Sequence, residues 1–300
     1  MSKYINPFTD FGFKKLFGEE ANKDLLIDFL NEVLGEENHI EDLSFKPTEN
    51  LPKNELDRKA IFDLYCHNKK GERFIIELQK AKQNFFKDRS VYYSTFPIQE
   101  QANKGDWNYK LQAVYTIGIL DFRFEDKDKE KVLVKVKLKD QENEVFYDKL
   151  TFLYLQLVNF NKSEAELENN FEKWMYIFKN LGTLEAMPLR FKDKIFSKLF
   201  ATAEIAKLNN NEYSDYIESL KNYNDLRNVL DTARDEGKIE GKIEGEQIGI
   251  EKGKIEGKIE RDNEIIVAGY KEGFSPEQLS KLTKLDLILV REILQRNALL

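Results

Sequence analysis

The sequence predicts an α/β core that is followed by an α-helical second half. Two observations predict this class. In the first half, apolar runs rich in Val, Ile, Phe and Tyr lie between segments with helical spacing, and from Ser163 to about Asp231 the helical spacing continues alone. The predicted order is helix, hairpin, helix, further strands and then helices. This order is typical of a sheet covered by helices, with a helical region after it.

The first predicted element is helical and covers residues 9–34. Its apolar residues recur mostly at intervals of three and four, as they do on one face of a helix, and the pattern is interrupted near Gly18. Gly35 is the predicted stop, because glycine is common just beyond the last turn of a helix.

A β-hairpin is predicted next. In the register set by a four-residue turn, Asp63 would lie opposite Ile76, which is a neighbour of Glu77. A small bulge or twist would then be needed to bring the two carboxylates together. The parts of the hairpin are residues 59–67, the turn Asn68–Gly71 and residues 72–79.

Helical spacing returns at residues 84–104, and three more strands are predicted after it. The middle one of these strands alternates strictly and carries a row of lysines on one face. That row either meets DNA phosphates or protects an exposed sheet edge from aggregation, and we favour the second reading. The strands are Leu111–Phe122, Val132–Lys139 and Leu150–Leu157, and the row is Lys135, Lys137 and Lys139.

The segment from Glu236 to Glu260 repeats a tetrad that resembles Gly-Lys-Ile-Glu. Each glycine in an isolated helix costs about 1 kcal/mol relative to alanine, so such a helix needs a partner. At about 100° per residue the tetrad places Lys and Glu on roughly opposite faces, and its stripes drift toward a right-handed winding. The repeat is either a flexible charged linker or a self-associating helix, and we favour the helix.

A four-part organisation follows from these patterns. Beyond the repeat, Ser275 and Pro276 predict a helix start, and two short helices are expected around residues 283–286. The segment Ser275–Leu294 resembles a helix-turn-helix, but a packing or partner role is favoured over DNA binding. The predicted parts are an α/β domain at 1–160, a helical region at 161–232, the repeat helix at 233–262 and a small helical segment at 263–300.

Composition restricts the possible chemistry. The chain carries 47 Lys and Arg against 54 Asp and Glu, and its net charge of −7 argues against nucleic-acid binding by overall charge alone. Cys66 is the single cysteine and the chain has 2 histidines, which excludes a disulfide within the chain and argues against a zinc site. A metal here would be held by oxygen, which indicates Mg²⁺, Mn²⁺ or Ca²⁺.

The N-terminal residues lack the layout of a signal peptide, and apolar runs are too short for a membrane span. We therefore expect a cytoplasmic protein that does not enter a membrane.

The strongest candidates for catalytic residues are Asp63, Glu77 and Gln79. Side chains alternate along a strand, so Glu77 and Gln79 project from the same face. Both carboxylates lie within apolar runs, where an unpaired charge is costly. They are either solvent-facing positions of an amphipathic sheet, carboxylates paired with a buried Arg or Lys, or ligands of a divalent ion. Such an ion would stabilise charge on a phosphodiester and activate water.

The spacing Asp63, thirteen residues, then Glu77-Leu78-Gln79 resembles the core motif of the PD-(D/E)XK nuclease superfamily, with Gln in place of the motif lysine. Most of the chain is similar to the Rpn family of recombination-promoting nucleases and putative transposases. The further stretches that carry this resemblance are Asp10–Phe17, Gln101–Trp107, Ala113–Phe122, Leu157–Phe160, Lys173-Trp174 and the Glu-Gly repeats of the tail.

The resemblance implies a restriction-endonuclease-like mixed sheet flanked by helices, and a metal-dependent DNA endonuclease linked to recombination or transposition. It implies that Asp63 and Glu77 bind metal and that Gln79 is the third catalytic position. Asp10 matches an acid of the family's N-terminal motif, although it could instead be the N-cap of the following helix. Either Lys80 or Lys82 replaces the missing lysine, or Gln79 positions water. The alternative is a weak or inactive DNA-binding or oligomeric scaffold.

Basic and aromatic residues are interleaved after the motif, between residues 80 and 110. They are candidates for contact with DNA phosphates, although most of the aromatics fit core packing at helical spacing better than base stacking. The candidates are Lys80, Lys82, Arg89, Tyr93, Gln101 and Lys104.

Overall fold

The computed structural model describes residues 2–50, 60–102, 108–124 and 130–300. Two compact units divide the chain, Met1–Arg227 and Asn228–Leu300. The finer four-part organisation remains a prediction.

Two helices open the chain, α1 (Asp10–Phe17) and α2 (Lys23–Leu34). The predicted interruption near Gly18 is confirmed, because Gly18 ends α1. Gly35 ends α2 with a φ of 83°, in the left-handed region that glycine adopts without steric cost. The predicted stop is therefore confirmed, and the positive φ explains why a glycine occupies this position.

The strands that follow are β1 (Leu43–Phe45), β2 (Glu49–Asn50), β3 (Ala60–Ile61), β4 (Leu64–Asn68), β5 (Arg73–Gln79), β6 (Val114–Leu120), β7 (Leu133–Lys139) and β8 (Val145–Gln156). Among the described residues, six of them form one sheet in the order β1-β4-β5-β6-β8-β7, and β2 and β3 form a separate ribbon. Antiparallel pairs join β1 to β4, β4 to β5 and β7 to β8, and parallel pairs join β5 to β6 and β6 to β8. This is the mixed sheet that the resemblance implies.

The hairpin turn is shorter than predicted, and this changes the register. Asn68 and Glu72 pair across it, with the Asn68 N–H donating to the Glu72 carbonyl at 3.1 Å, so the loop is three residues long. Gly71 provides the positive φ, 78°, that such a loop requires. As a result Leu64, and not Asp63, lies opposite Ile76. One step further along this register, Asp63 and Glu77 face each other, and the predicted bulge is unnecessary.

Helices cover both faces of the sheet. Leu78 and its same-face neighbours on β5 join the large core that α1, α2 and later helices complete, where Phe17 stacks on Phe178 with ring centroids 5.4 Å apart. The opposite face meets α3 (Phe86–Gln99), whose Tyr93 packs against a small cluster that includes Ile75. Alternation along β5 therefore directs Glu77 and Gln79 toward α3 and not into the large core.

The second half is helical, as predicted. The repeat lies within the 62-residue helix α6, so it is helical throughout. Ser275 is the N-cap of α7 and forms a capping box with Gln278, which confirms the predicted start. Leu279 of α7 and Leu294 of α8 pack with Ile266 near the end of α6, which is the packing role favoured for this segment. The helices are α4 (Asn170–Asn180), α5 (Lys194–Ala203), α6 (Asn210–Lys271), α7 (Pro276–Thr283) and α8 (Leu287–Arg296).

Candidate active site

Asp63 and Glu77 meet at the end of the β4–β5 hairpin. Asp63 lies at the bend just before β4, and its Oδ2 accepts a hydrogen bond from the backbone N–H of Leu78 at 2.6 Å. This bond holds the Asp63 carboxylate against the strand that carries Glu77. The two acids therefore converge because of the three-residue loop and one backbone hydrogen bond.

Glu77 is a buried acid, with 9% of its surface exposed. Its Oε2 accepts a hydrogen bond from Gln79 Nε2 at 3.2 Å, while its Oε1 is buried without a hydrogen-bond partner among the described residues. Burial, and after it the charge of Asp63, raises the pKa of Glu77 to about 8, against the smaller opposing effects of Arg89, of the backbone N–H of Asp63 and of the Gln79 amide. A buried acid with one unsatisfied oxygen needs either a proton or a cation.

Burial also raises the pKa of Asp63. The hydrogen bond from Leu78 opposes this increase, and the charge of Asp10 adds to it. Lys80 and Lys14 lower the pKa again. Two neighbouring acids, both with raised pKa values, are a common arrangement at catalytic and metal-binding sites.

Asp10 and Lys80 form an ion pair next to this acid pair. Lys80 Nζ lies 2.6 Å from Asp10 Oδ1. The N-cap of α1 is Thr9, whose hydroxyl accepts from the Gly12 N–H at 3.0 Å, so the alternative N-cap role of Asp10 is wrong. Asp10 is instead placed beside the hairpin acids by the first turn of α1, and Lys80 by the end of β5.

Helix α3, which covers the sheet face toward which Glu77 projects, contributes Arg89 and Tyr93 to the site. The charge of Arg89 acts on Glu77, and burial, followed by the charge of Glu77, raises the pKa of Tyr93. Arg89 lies over the Tyr93 ring, 5.6 Å from its centroid, and donates a hydrogen bond to Gln83. The ring of Tyr93 packs on Phe62 at 5.4 Å between centroids. Core packing of this aromatic thus positions the guanidinium beside the acids.

Two of the remaining candidates for DNA contact, Lys82 and Gln101, bind backbone groups of the protein itself. Lys82 Nζ donates to the carbonyl of Phe124 at 3.1 Å, which holds it to the loop after β6. Gln101 is buried, and its amide donates to the Pro97 carbonyl and accepts from the Gln112 N–H at 2.7 Å, so it braces α3 against the segment before β6. The predicted phosphate contact at Gln101 is therefore replaced by a structural role. Lys104 lies outside the described residues.

Strand β7, which carries the lysine row, is at an edge of the sheet. This position agrees with the edge-protection reading of Lys135, Lys137 and Lys139.

Lys14 also acts on the acid pair, since its charge lowers the pKa of Asp63. The sequence reasoning missed this residue, although Lys14 follows Asp10 by four residues on α1 and so shares its face.

A family model described as PD-(D/E)XK nuclease family transposase matches residues 7–233. The chain belongs to this family. The match confirms the predicted resemblance and the fold class, and it ends just before the Gly-Lys-Ile-Glu repeat begins. No curated protein and no solved structure matches the chain.

PD-(D/E)XK nucleases generally use divalent metals. Within the described ranges, no cluster of three or more His, Cys, Asp or Glu side chains is placed to hold an ion. The residues present nevertheless fit Mg²⁺, which typically takes one or two carboxylates and keeps water or substrate phosphate at its other positions. Asp63 and the unsatisfied Oε1 of Glu77 supply that carboxylate pair.

None of the described helices is both long and apolar enough to cross a bilayer.

Proposed function

We propose that this family member is a divalent-metal-dependent DNA endonuclease that hydrolyses phosphodiester bonds in recombination or transposition. The observation that carries the proposal is the buried, unsatisfied Oε1 of Glu77 beside Asp63. The desolvation of a bare carboxylate pair is unfavourable, and a bound cation would compensate for it. The charge pattern therefore fits an ion site better than a purely structural acid pair.

Asp63 and Glu77 would hold the ion, and Mg²⁺, Mn²⁺ and Ca²⁺ all suit such oxygen ligands. The ion, when bound, supplies charge stabilisation to the phosphate and lowers the pKa of water. Gln79 would position water through its amide, because its donor already touches Glu77. An amide takes no proton at neutral pH, so the positive charge of the missing motif lysine has to come from another residue.

Lys80 is the stronger substitute for that lysine. It is ion-paired with Asp10, and its charge acts on Asp63. Lys82, by contrast, is bound to the Phe124 carbonyl. A DNA phosphate near Asp63 could take Lys80 from Asp10, since the Asp10 side chain is 70% exposed and loses little when it returns to water. Asp10 would thus hold Lys80 in place until the substrate binds.

Arg89 and Tyr93 would contact the DNA backbone on the opposite side of the acid pair. Arg89 contacts the Tyr93 ring and the Gln83 side chain. Among the described residues, neither of these partners is an acid. A guanidinium in this position suits bidentate binding of a phosphate. DNA would then lie between the end of β5 and the start of α3.

The chain would also form a homo-oligomer through the repeat helix. Residues 236–260 of α6 are all exposed and carry six glycines four residues apart. A helix of this composition is unstable alone, so a second copy is the partner proposed.

Cleavage of supercoiled plasmid in Mg²⁺ or Mn²⁺ tests the assignment. Asp63→Asn and Glu77→Gln keep the shape of each side chain and remove its charge, and Glu142→Gln in an exposed turn is the matched control. We expect both site variants to lose at least about 100-fold in rate, and the control to keep full activity. Equal cleavage by all four proteins would refute the assignment. A scaffold without turnover would bind DNA but show no metal-dependent cleavage in the wild type.

A further inference from the structure

The charges of the repeat do little to stabilise its own helix. Because Lys and Glu each recur every four residues, most charged pairs one turn apart carry like charges, which is unfavourable on a helix. Ion pairs occur at the start of the repeat, where Lys238 lies 3.2 Å from Asp235, and where the tetrad is interrupted, where Lys242 lies 3.9 Å from Glu246. A Cβ added to any repeat glycine would meet nothing within 4 Å among the described residues. The like-charged pairs are Glu236/Glu240, Lys238/Lys242, Glu240/Glu244, Lys254/Lys258 and Glu256/Glu260, and Lys252/Glu256 is a pair of opposite charges.

The repeat has a second regularity, centred on Gly249. Positions equally far before and after this glycine match in type when they are apolar, and they are opposite in charge when they carry a lysine. Every lysine between residues 238 and 260 has a glutamate at its mirror position. The matched pairs are Lys238/Glu260, Glu240/Lys258, Lys242/Glu256, Glu244/Lys254 and Glu246/Lys252, together with Ile239/Ile259, Ile243/Ile255 and Ile248/Ile250.

The lysines at the start of the repeat and the glutamates at its end lie on one face of the helix. Lys238, Lys242, Gly249, Glu256 and Glu260 follow one another at spacings of 4, 7, 7 and 4 residues. At about 100° per residue these five positions lie within roughly 40° of one another around the axis. The face is positive at its first end, bare in the middle and negative at its last end, and all five residues are exposed.

We infer that two copies of the chain pair through this face as antiparallel helices, with a two-fold axis at Gly249. Lys238 and Lys242 of one chain then meet Glu260 and Glu256 of the partner subunit. The glycines at the axis have no side chains, so the two backbones can approach closely where the helices cross. The like charges one turn apart, which destabilise each helix alone, become neighbours of opposite charges on the other helix.

A parallel pair does not fit the same residues. In a parallel pair in register, Lys238 would lie beside its own copy, and so would Glu260. An isoleucine seam does not offer an alternative, because it is discontinuous. At about 100° per residue, Ile243 and Ile255 point roughly 120° apart around the axis, and the outermost isoleucines diverge further. In the antiparallel pair the two α6 helices enter the paired segment from opposite ends.

Disulfide cross-linking of the full-length protein distinguishes the two orientations. Lys238→Cys and Glu260→Cys are made in separate chains, which are mixed and oxidised mildly. The wild-type chain, whose only cysteine is the buried Cys66, is the control. We expect a cross-linked heterodimer in the mixture, and little cross-linking of either variant alone. Strong self-cross-linking of Lys238→Cys, or no cross-link in any sample, would overturn the inference.

Charge exchange tests the register by a second route, with sedimentation equilibrium as the measurement. The variant K238E/K242E should dimerise at least about tenfold more weakly, since like charges would then face each other at both ends. Mixing it with E256K/E260K should restore a heterodimer. K254E/K258E changes the same net charge on the far side of the helix and should dimerise like the wild type. Weakening by the far-side variant alone, or failure of the mixture to associate, would exclude this face.

Discussion

Asp63 lies opposite Glu77, one residue beyond the Leu64–Ile76 pair of the β4–β5 hairpin, and the Leu78 N–H donates a hydrogen bond to Asp63 Oδ2 at 2.6 Å. Glu77 keeps one buried oxygen without a partner among the described residues. The fold therefore maintains an arrangement that is unfavourable unless Glu77 takes a proton or the pair binds a cation. Such an arrangement is expected where function, and not stability, determines the residues.

The first prediction concerns stability and pH in the absence of divalent ions. Burial and Asp63 raise the pKa of Glu77 to about 8, from about 4.3 in an unfolded chain. A raised pKa means that the folded state binds the proton more tightly, so stability is complete below pH 4.3 and falls as pH rises toward 8. We expect this residue to lower the free energy of unfolding by an amount on the order of 4–5 kcal/mol across that range.

Urea unfolding at several pH values, with EDTA present, measures this loss. Glu77→Gln should flatten the dependence, and saturating Mn²⁺ should flatten it in the wild type. A wild-type profile that rises between pH 5 and 8 in EDTA, with the same slope in Glu77→Gln, would contradict the predicted pKa.

The second prediction concerns Lys80, which would replace the motif lysine. Lys80→Met should reduce the rate of plasmid cleavage by roughly 10²-fold or more, because a positive charge beside the reacting phosphate is lost. Lys82→Met, which removes a lysine bound to the Phe124 carbonyl, should reduce the rate only a few-fold. If the Lys82 variant is the more damaged of two equally stable proteins, the roles of the lysines are reversed.

A third prediction concerns Arg89 as a phosphate contact. Arg89→Gln should weaken binding to DNA of any sequence and reduce the slope of log K against log[salt] by about 1. Lys139→Gln at the edge strand β7 is the matched control and should leave that slope unchanged. Fluorescence anisotropy in Ca²⁺ at several salt concentrations gives both slopes. An altered slope for Lys139 with none for Arg89 would move the DNA path to the edge of the sheet.

The fourth prediction concerns the hairpin loop that sets the register. Gly71 has a φ of 78°, and a Cβ there would reach Gln112 Cγ only at 3.4 Å, so a substitution is limited by backbone conformation and not by space. Gly71→Ala should lower the free energy of unfolding by about 1 kcal/mol or more. Gly71→Asn should cost less, because Asn tolerates this region. Equal losses in urea unfolding would mean that side-chain volume, and not backbone conformation, limits the site.

Much of the architecture was predictable from periodicity and turn residues. The helical segment near the N-terminus with its interruption near Gly18, the stop at Gly35 and the capped start at Ser275 depend on local rules and are confirmed. The hairpin register depended on one loop residue. A four-residue and a three-residue turn are both compatible with the sequence around Gly71, and only tertiary packing decides between them.

The environment of the acid pair was less accessible to sequence reasoning. Asp10 and Lys80 are 70 residues apart, and their ion pair depends on how α1 packs against the sheet. Arg89 approaches Glu77 from α3 for a similar reason. Gln101 has the residue type of a phosphate ligand, but burial directs its amide to the backbone. Motif spacing thus predicts the acids, while their neighbours follow from packing that no local pattern encodes.

The most direct test is a crystal structure of the protein soaked with Mn²⁺, with anomalous scattering used to locate the ion. We expect one strong peak within coordination distance of both Asp63 and Glu77 Oε1, and no peak in crystals of Glu77→Gln. A wild-type site that stays without a peak at saturating Mn²⁺, with the two carboxylates turned away from each other, would contradict this expectation.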